Sequence, residues 1–257
     1  MTIWTWDPQQ REFVAGGAEG ELRLADSWLV EAGRVRAFDR HRRRFSTAAL
    51  ELGCTDADSA DFWSALIDLI PRSGEWFPRV EILGDDEPAL GFRLRPAPTR
   101  TDELNVWIPP FADPRQHPRT NGPDIARLAE LRRQAHEEHE CDEVLLVDEN
   151  GFAVESATSS LLWWEDETLC VPHPDLAQLP GVTTSLIQDE ARKRSISIEH
   201  RRVQPEELFG HEVWLVNALH GIRRVIAFSS QLNYECAREP KRFWEWKAWL
   251  DAQKDPL

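Results

Sequence analysis

One short segment of the sequence has the composition of an anion-binding site. Residues 179–184 read LPGVTT, which places a glycine turn directly before a segment of helical pattern. The first amides of a helix have no partners within the helix, and the helix dipole adds partial positive charge there. The segment is therefore either an anion-binding loop, in which the amide of Val182 and Thr183 bind an anionic group such as a phosphate ester, or an ordinary loop and helix cap.

The basic residues are divided very unevenly between arginine and lysine. Only four of the 30 basic residues are lysines, namely Lys193, Lys241, Lys247 and Lys254. Arginine binds anions through its forked donors, but it stays charged and is not a Schiff-base former or a general base at neutral pH. Lysine-dependent chemistry therefore has few candidates, and all of them lie late in the chain.

Four segments resemble, in the right order, the class IV aminotransferase family. This family of pyridoxal-phosphate (PLP) enzymes includes branched-chain and D-amino-acid aminotransferases and aminodeoxychorismate lyase. The segments are residues 41–45 (HRRRF), 141–155 (CDEVLLVDENGFAVE), 179–184 (LPGVTT) and 214–222 (WLVNALHGI). Because they cover most of the chain, the resemblance implies a two-domain α+β architecture of the fold-type IV kind.

The resemblance also implies which residues contact the cofactor. Arg44, in the family's His-x-x-Arg-apolar motif, would bind the PLP phosphate together with Val182 and Thr183. Glu155 would bond to the pyridine nitrogen and keep the ring protonated, which makes it a better electron sink. The remaining cofactor-binding candidates are Ser159, Asn217 and Ala218.

Two departures from the family pattern bear on the reaction. The family usually continues Gly-Thr-Ser-Ser-Asn after the glutamate, whereas this chain has SATSS at 156–160, so the closing position is Ser160. Aminotransferases usually carry Ser/Thr-Gly-Thr-Ala in the last segment, and Asn217-Ala218-Leu219 resembles the lyase branch instead. We therefore favour an aminodeoxychorismate lyase as the parent enzyme, with an amino-acid transaminase as the alternative.

The position of the family's Schiff-base lysine is occupied by Asn121. The surrounding residues, RTNGPD at 119–124, match the family's context for that lysine. An asparagine amide cannot form a covalent bond to the cofactor aldehyde and cannot shuttle a proton. Three interpretations stay open: an enzyme with impaired or altered chemistry that binds PLP non-covalently, a pseudoenzyme or binding protein, and a substitution particular to this chain.

Three further residues are candidates for contact with the substrate. Trp28 and Arg36 point from a predicted first-domain hairpin, and His220 could supply a proton in the absence of the lysine. The parent reaction would be PLP-dependent elimination of pyruvate from 4-amino-4-deoxychorismate, leaving 4-aminobenzoate, a step of folate biosynthesis.

The predicted elements that position these residues fall into two domains. We expect a small N-terminal α+β domain at 1–110, a proline-rich linker at 111–120 and a larger C-terminal α+β domain at 121–257. In the first domain, the pattern predicts a helix capped by Asp58 or Ser59 and a strand pair at 77–83 and 90–94. In the second, it predicts a hairpin turn with positive φ at both residues of 150–151 and a helix at about 185–194. The resemblance implies a cofactor pocket where the two domains meet and a homodimer.

Charge and composition exclude several other classes of function. The formal net charge of −15 disfavours nucleic acid as a partner, because an acidic surface repels phosphate backbones. No apolar run is long enough for a membrane span, and no cysteine spacing predicts a metal site. We expect a cytoplasmic protein that acts on a small molecule.

Overall fold

The computed structural model describes residues 1–84, 88–229, 233–235 and 240–257, with only the backbone of 233–235. It forms two compact units of mixed helix and sheet, which confirms the predicted α+β class. Unit 1 comprises Met1–Thr99, Thr120–Pro123 and Gln253–Leu257, and unit 2 comprises Arg100–Arg119 and Asp124–Ala252.

Strands outnumber helices in the described part of the chain. The strands are β1 (Thr2–Asp7), β2 (Glu12–Ala15), β3 (Leu22–Ser27), β4 (Val30–Glu31), β5 (Arg34–Val35), β6 (Glu75–Trp76), β7 (Arg79–Leu83), β8 (Ala89–Leu94), β9 (Glu103–Trp107), β10 (Glu143–Val147), β11 (Ala153–Ser156), β12 (Ser160–Glu165), β13 (Thr168–Pro172), β14 (Ile198–Arg201), β15 (Glu212–Asn217), β16 (Gly221–Ser229), β17 (Asn233–Glu235) and β18 (Asp255–Pro256). The helices are α1 (Phe38–Glu51), α2 (Ala60–Asp68), α3 (Ile125–His139), α4 (Val182–Lys193) and α5 (Phe243–Asp251), with short 3₁₀ turns at Thr55–Asp58 and Pro205–Leu208.

The boundary between the two units differs from the expected linker at 111–120. Residues from Arg100 onward group with unit 2, because β9 lies inside its sheet between β10 and β16. Thr120–Pro123 groups with unit 1, because the carbonyl of Asn121 accepts a hydrogen bond from the amide of Ala25 at 2.6 Å. The proline-rich segment is thus divided between the units rather than standing outside both.

Unit 1 is built on an antiparallel sheet in the order β2-β1-β8-β7-β3, with a second small sheet of β18, β5, β4 and β6. Its core contains buried aromatic residues from both helices, including Phe45, Phe62 and Trp63. Of the two residues expected to cap α2, Asp58 and Ser59, it is Ser59 that does so: its Oγ accepts the amide of Phe62 at 3.1 Å. The predicted β7–β8 pair is also confirmed.

Unit 2 is built on a mixed sheet whose main path runs β11-β10-β9-β16-β15-β12-β13-β14. The pairs β9–β10, β9–β16 and β13–β14 are parallel, while the pairs β12–β15 and β15–β16 are antiparallel. Helix α4 begins at Val182, earlier than the predicted start at Ser185. Gly181 is its N-cap residue and has an extended backbone, so the helical conformation starts at the next residue.

The turn between β10 and β11 forms at the predicted Asn-Gly pair but with a different backbone. Positive φ was expected for both Asn150 and Gly151, and only Gly151 has it, at +86°. The amide of Gly151 bonds to the carbonyl of Asp148 at 3.0 Å, and the ladder shifts register between Leu146 and Val147. A turn closed by one left-handed glycine and a bulge needs positive φ at the glycine alone.

In the part of the chain that the structure describes, no helix has both the length and the apolar surface required to cross a bilayer.

Candidate functional site

In unit 1, the predicted phosphate-binding Arg44 is held by a buried carboxylate. Arg44 Nε and Nη2 donate to the two oxygens of Asp26, each at 2.8 Å. His41 Nδ1 lies 2.8 Å from the same Asp26 Oδ1. A forked arginine–carboxylate pair of this kind fixes the plane of the guanidinium. The side chain of Arg44 keeps 19% of its surface exposed, so a face of it stays accessible to an anion.

The charges around Asp26 set its protonation state. Burial alone would raise its pKa, but the positive charges and hydrogen bonds of Arg44 and His41 outweigh that effect and lower the pKa to about 2. Asp26 is therefore an anion throughout the physiological range. Sequence reasoning did not single it out, because it lies on β3 and its partners lie on α1.

The two substrate candidates from unit 1 are both buried. Trp28 has no exposed surface and packs against Phe38 and Trp63, with ring centroids 5.2 and 6.2 Å away. Arg36 is 7% exposed. Trp28 is therefore placed as a core residue of unit 1, and a substrate role for either residue stays a prediction.

Asn121 is fixed by its main chain rather than by its side chain. Besides the bond from Ala25 to its carbonyl, the next residue, Gly122, has φ +146° and lies against β3. A Cβ at position 122 would stand 2.9 Å from Leu24 Cα, so only glycine fits there without a shift of backbone. Among the described residues, no hydrogen bond reaches the amide group of the Asn121 side chain.

In unit 2, Glu155 lies on β11 with 4% of its surface exposed. Its Oε1 accepts Arg115 Nη1 at 2.5 Å and the amide of Leu179 at 2.9 Å. Burial raises the pKa of Glu155 to about 7, and the charge of Arg115 opposes that rise without cancelling it. Glu155 is thus fixed in place and close to changing its protonation state at neutral pH.

Arg115 is a residue that sequence reasoning missed. It donates to both oxygens of Asp113 at distances down to 2.6 Å and to the carbonyl of Ala177 at 3.0 Å, in addition to Glu155. It therefore ties the proline-rich segment to the start of the predicted anion loop. The sequence signal was weak, since an arginine among prolines is also typical of an exposed linker.

The predicted anion loop has the geometry of an open helix N-terminus. Val182 and Thr183 form the first turn of α4, and no side chain caps it. A Cβ on Gly181 would lie 2.5 Å from Ser160 Oγ, so this glycine lets the turn approach β12 closely. Thr184 Oγ1 is buried without a hydrogen-bond partner among the described residues. A buried donor without a partner beside free helix amides suits an anionic oxygen.

The candidates Ser159, Asn217 and Ala218 come together at the ends of neighbouring strands. Asn217 Nδ2 donates to Ser159 Oγ at 3.0 Å, while its Oδ1 accepts the amides of Leu219 at 3.1 Å and His220 at 2.8 Å. The Asn217 side chain therefore shapes the turn that contains Ala218.

A buried ion pair lies behind Ser159. Arg223 Nη2 donates to Ser159 Oγ at 3.1 Å and to Glu143 Oε2 at 3.4 Å. Arg223 and Glu143 are both almost fully buried. Sequence reasoning singled out neither residue, because charged residues inside strands are ordinarily expected on the exposed face.

His220 is held as a neutral imidazole. Its Nδ1 accepts the amide of Thr101 at 3.2 Å, which leaves the ring proton on Nε2. Burial, with the nearby charge of Arg223, lowers its pKa to about 3. A neutral imidazole of such low basicity is a weak proton donor and a weak base at neutral pH.

The four lysines occupy ordinary surface or ion-pair positions. Lys247 Nζ lies 3.0 Å from Asp102 Oδ1 in unit 2, and Lys254 pairs with Glu31 in unit 1. Lys193 and Lys241 are exposed. Each lysine is thus either exposed to solvent or paired with a carboxylate.

Two of the candidate donors, both in unit 2, suit the parts of a phosphorylated pyridine. The first turn of α4 suits a phosphate and Glu155 suits a ring nitrogen. Asn121 offers no amine for a covalent bond.

Comparison with known proteins places these features in a family. The sequence profile of the family described as amino-transferase class IV matches residues 23–228. A branched-chain-amino-acid aminotransferase-like protein 2 from Arabidopsis thaliana is 23% identical over 92 residues, which is 35% of this chain but only 16% of that protein.

Solved structures share the fold at low identity. A hypothetical aminotransferase from Mycobacterium tuberculosis, bound to alpha-ketoglutarate and PMP, has a TM-score of 0.81 at 18% identity, with 98% of each chain covered. A putative 4-amino-4-deoxychorismate lyase from Legionella pneumophila has a TM-score of 0.75 at 16% identity, with 91% of each chain covered. From the profile match over most of its length, this chain belongs to the class IV aminotransferase family.

Proposed function

We propose that this protein binds PLP or its amine form, pyridoxamine 5′-phosphate (PMP), non-covalently, and that its parent chemistry is that of aminodeoxychorismate lyase. The observation that carries this proposal is a contrast among the predicted cofactor residues. In unit 2, Glu155 is a buried carboxylate fixed by two hydrogen bonds and no side chain caps the first turn of α4, whereas position 121 in unit 1 has no amine. Catalysis by the chain as it stands is then impaired or altered.

The lyase interpretation draws its support from one turn of unit 2. Asn217, Ala218 and Leu219 occupy the segment where aminotransferases usually carry hydroxyl groups, and the Asn217 side chain shapes this turn through the amides of Leu219 and His220. The parent reaction breaks the bond between the ring carbon and the enolpyruvyl oxygen. It releases pyruvate and leaves 4-aminobenzoate, so all atoms of 4-amino-4-deoxychorismate are recovered in two products.

Several of the protein's own residues would hold the cofactor. In unit 2, Val182 and Thr183 would bind the phosphate and Glu155 would bind the ring nitrogen. In unit 1, the candidate donor to an anion is Arg44, which Asp26 holds in place. When bound, the cofactor supplies an electron sink for the bond that breaks. The amide of Asn121 cannot move the proton, and His220 is poorly suited to do so in its place because its pKa is lowered to about 3.

The decisive experiment is Asn121→Lys, compared with the wild-type protein. Each protein is incubated with PLP, reduced with borohydride and analysed by peptide mass spectrometry. We expect no adduct in the wild type and one adduct at position 121 in the variant, together with pyruvate release from aminodeoxychorismate. A reduced adduct on any wild-type lysine would overturn the proposal.

Asn150→Lys is a matched control, because Asn150 also precedes a glycine but lies in an exposed turn. It should behave like the wild type. The alternative function, an amino-acid transaminase, would show in Asn121→Lys as amino transfer to a keto acid without pyruvate release from aminodeoxychorismate. If the protein is a cofactor-free binding protein, neither the wild type nor Asn121→Lys should show affinity for PLP or PMP.

A further inference from the structure

Asp113, Arg115 and Glu155 form a buried cluster in unit 2 whose charges do not balance. Arg115 bonds to both carboxylates, with its closest contacts 2.6 Å from Asp113 Oδ2 and 2.5 Å from Glu155 Oε1. The side chains are 12%, 6% and 5% exposed for Asp113, Arg115 and Glu155. With both carboxylates ionised, one guanidinium leaves the cluster with one net negative charge.

A net charge in such a position is unfavourable unless something compensates it. Burial is the main cause of the raised pKa of Glu155, and the charge of Asp113 raises it further, so without a further cation the cluster tends to take up a proton. A bound cation at Glu155 would compensate the same charge and release the proton. The cluster is therefore suited to a ligand that brings a single positive charge.

The hydrogen bonds at Glu155 show which atom would receive that cation. Arg115 and the amide of Leu179 both donate to Oε1. Among the described residues, no donor reaches Oε2. Oε2 is thus the carboxylate oxygen that keeps its capacity to accept an N–H from a ligand.

We propose that Asp113 and Arg115 are positioning residues that make Glu155 select a protonated ring nitrogen, that is, a pyridinium rather than a neutral pyridine. Arg115 fixes the rotation of Glu155 so that Oε2 is presented. Asp113 neutralises Arg115, which would otherwise cancel the charge of Glu155. This inference rests on the proposed function, since it specifies the form of the ligand at that same site.

The test is the protonation state of bound PMP rather than any turnover. PMP labelled with ¹⁵N in its ring is added to the full-length protein, and the ¹⁵N chemical shift distinguishes a protonated from a neutral ring nitrogen. Affinity is measured alongside by calorimetry. In the wild type we expect a protonated ring at a pH where the ring of free PMP is largely neutral.

Two variants separate charge from position. Asp113→Asn removes the net negative charge, so the ring should become neutral at that pH and affinity should fall about tenfold, as expected for the loss of one close charge pair. Arg115→Lys keeps the charge but loses the fork that reaches both carboxylates, so the ring should stay protonated while affinity falls. Asp189→Asn is the matched control, because Asp189 also pairs with an arginine but on the exposed surface of α4.

The outcomes are distinguishable from failure of the proposed function. If the wild type binds neither PMP nor PLP, the proposed function fails and this inference with it. If the wild type binds PMP but Asp113→Asn leaves the ring protonated with unchanged affinity, the role of Asp113 is overturned while the proposed function stands. If Asp113→Asn does not fold, a neutral ring in Arg115→Lys would overturn the inference by itself.

Discussion

The two units each contain a buried cluster of carboxylate and cationic side chains, and the two clusters titrate in opposite directions. In unit 1, one carboxylate, Asp26, is shared by Arg44 and His41, and its pKa is lowered to about 2. In unit 2, one guanidinium, Arg115, is shared by Asp113 and Glu155, and the pKa of Glu155 is raised to about 7. The comparison teaches that burial alone does not decide the charge of a carboxylate, because the ratio of cations to carboxylates decides which effect wins.

The largest effect should come from Asp26→Asn. The substitution leaves the guanidinium of Arg44 without its buried counter-charge, so we expect the free energy of unfolding to fall by about 3–5 kcal/mol. Urea denaturation followed by circular dichroism measures the change. Asp68→Asn, at an exposed position at the end of α2, should stay within about 0.5 kcal/mol of the wild type. If Asp26→Asn lost no more than about 0.5 kcal/mol, Asp26 would not be an important buried counter-charge in unit 1.

The next effect is a pH dependence that Glu155→Gln should abolish. Because the folded-state pKa of Glu155 is raised from 4.5 to about 7, its stabilising contribution is fully present below about pH 4.5 and is lost as the pH rises through 7. The free energy of unfolding should therefore fall by about 3 kcal/mol across that range of pH. Urea titrations at several pH values should show the decline in the wild type and a flatter profile in the variant. Equal slopes in the two proteins would contradict the raised pKa.

The smallest effect is expected from His41→Asn. It removes one of the two partners of Asp26 but keeps the forked pair with Arg44, so we expect a loss of about 1 kcal/mol. Thermal unfolding compared with that of Asp26→Asn gives the ranking. A loss as large as that of Asp26→Asn would mean that His41, rather than Arg44, is the principal partner of the buried carboxylate.

Sequence patterns predicted the local parts of the fold and of the candidate site. The sequence predicted a strand pair at the positions of β7 and β8, and Ser59 was one of the two residues expected to cap α2. The glycine turn before α4 was identified from its composition. These features depend on neighbours in the chain, which a sequence shows directly.

The residues that sequence reasoning missed depend on distant partners. Arg115 reaches Glu155 across 40 positions of the chain, and Asp26 reaches Arg44 across 18. No local period marks such pairs, and a charged residue in a strand or a proline-rich segment is ordinarily expected to be exposed. Thr120–Pro123 belongs to unit 1, while the residues just before it belong to unit 2. This grouping also depends on a contact distant in sequence, the hydrogen bond between Ala25 and Asn121.

That bond has a consequence for how the protein could tolerate change. Position 121 is anchored through its carbonyl, and the close approach to β3 is made by Gly122, so neither contact uses the side chain of residue 121. Folding therefore places little constraint on which amino acid stands there. A reactive residue at this position can be exchanged by a single mutation while the scaffold around it persists, and by the same reasoning it can be restored.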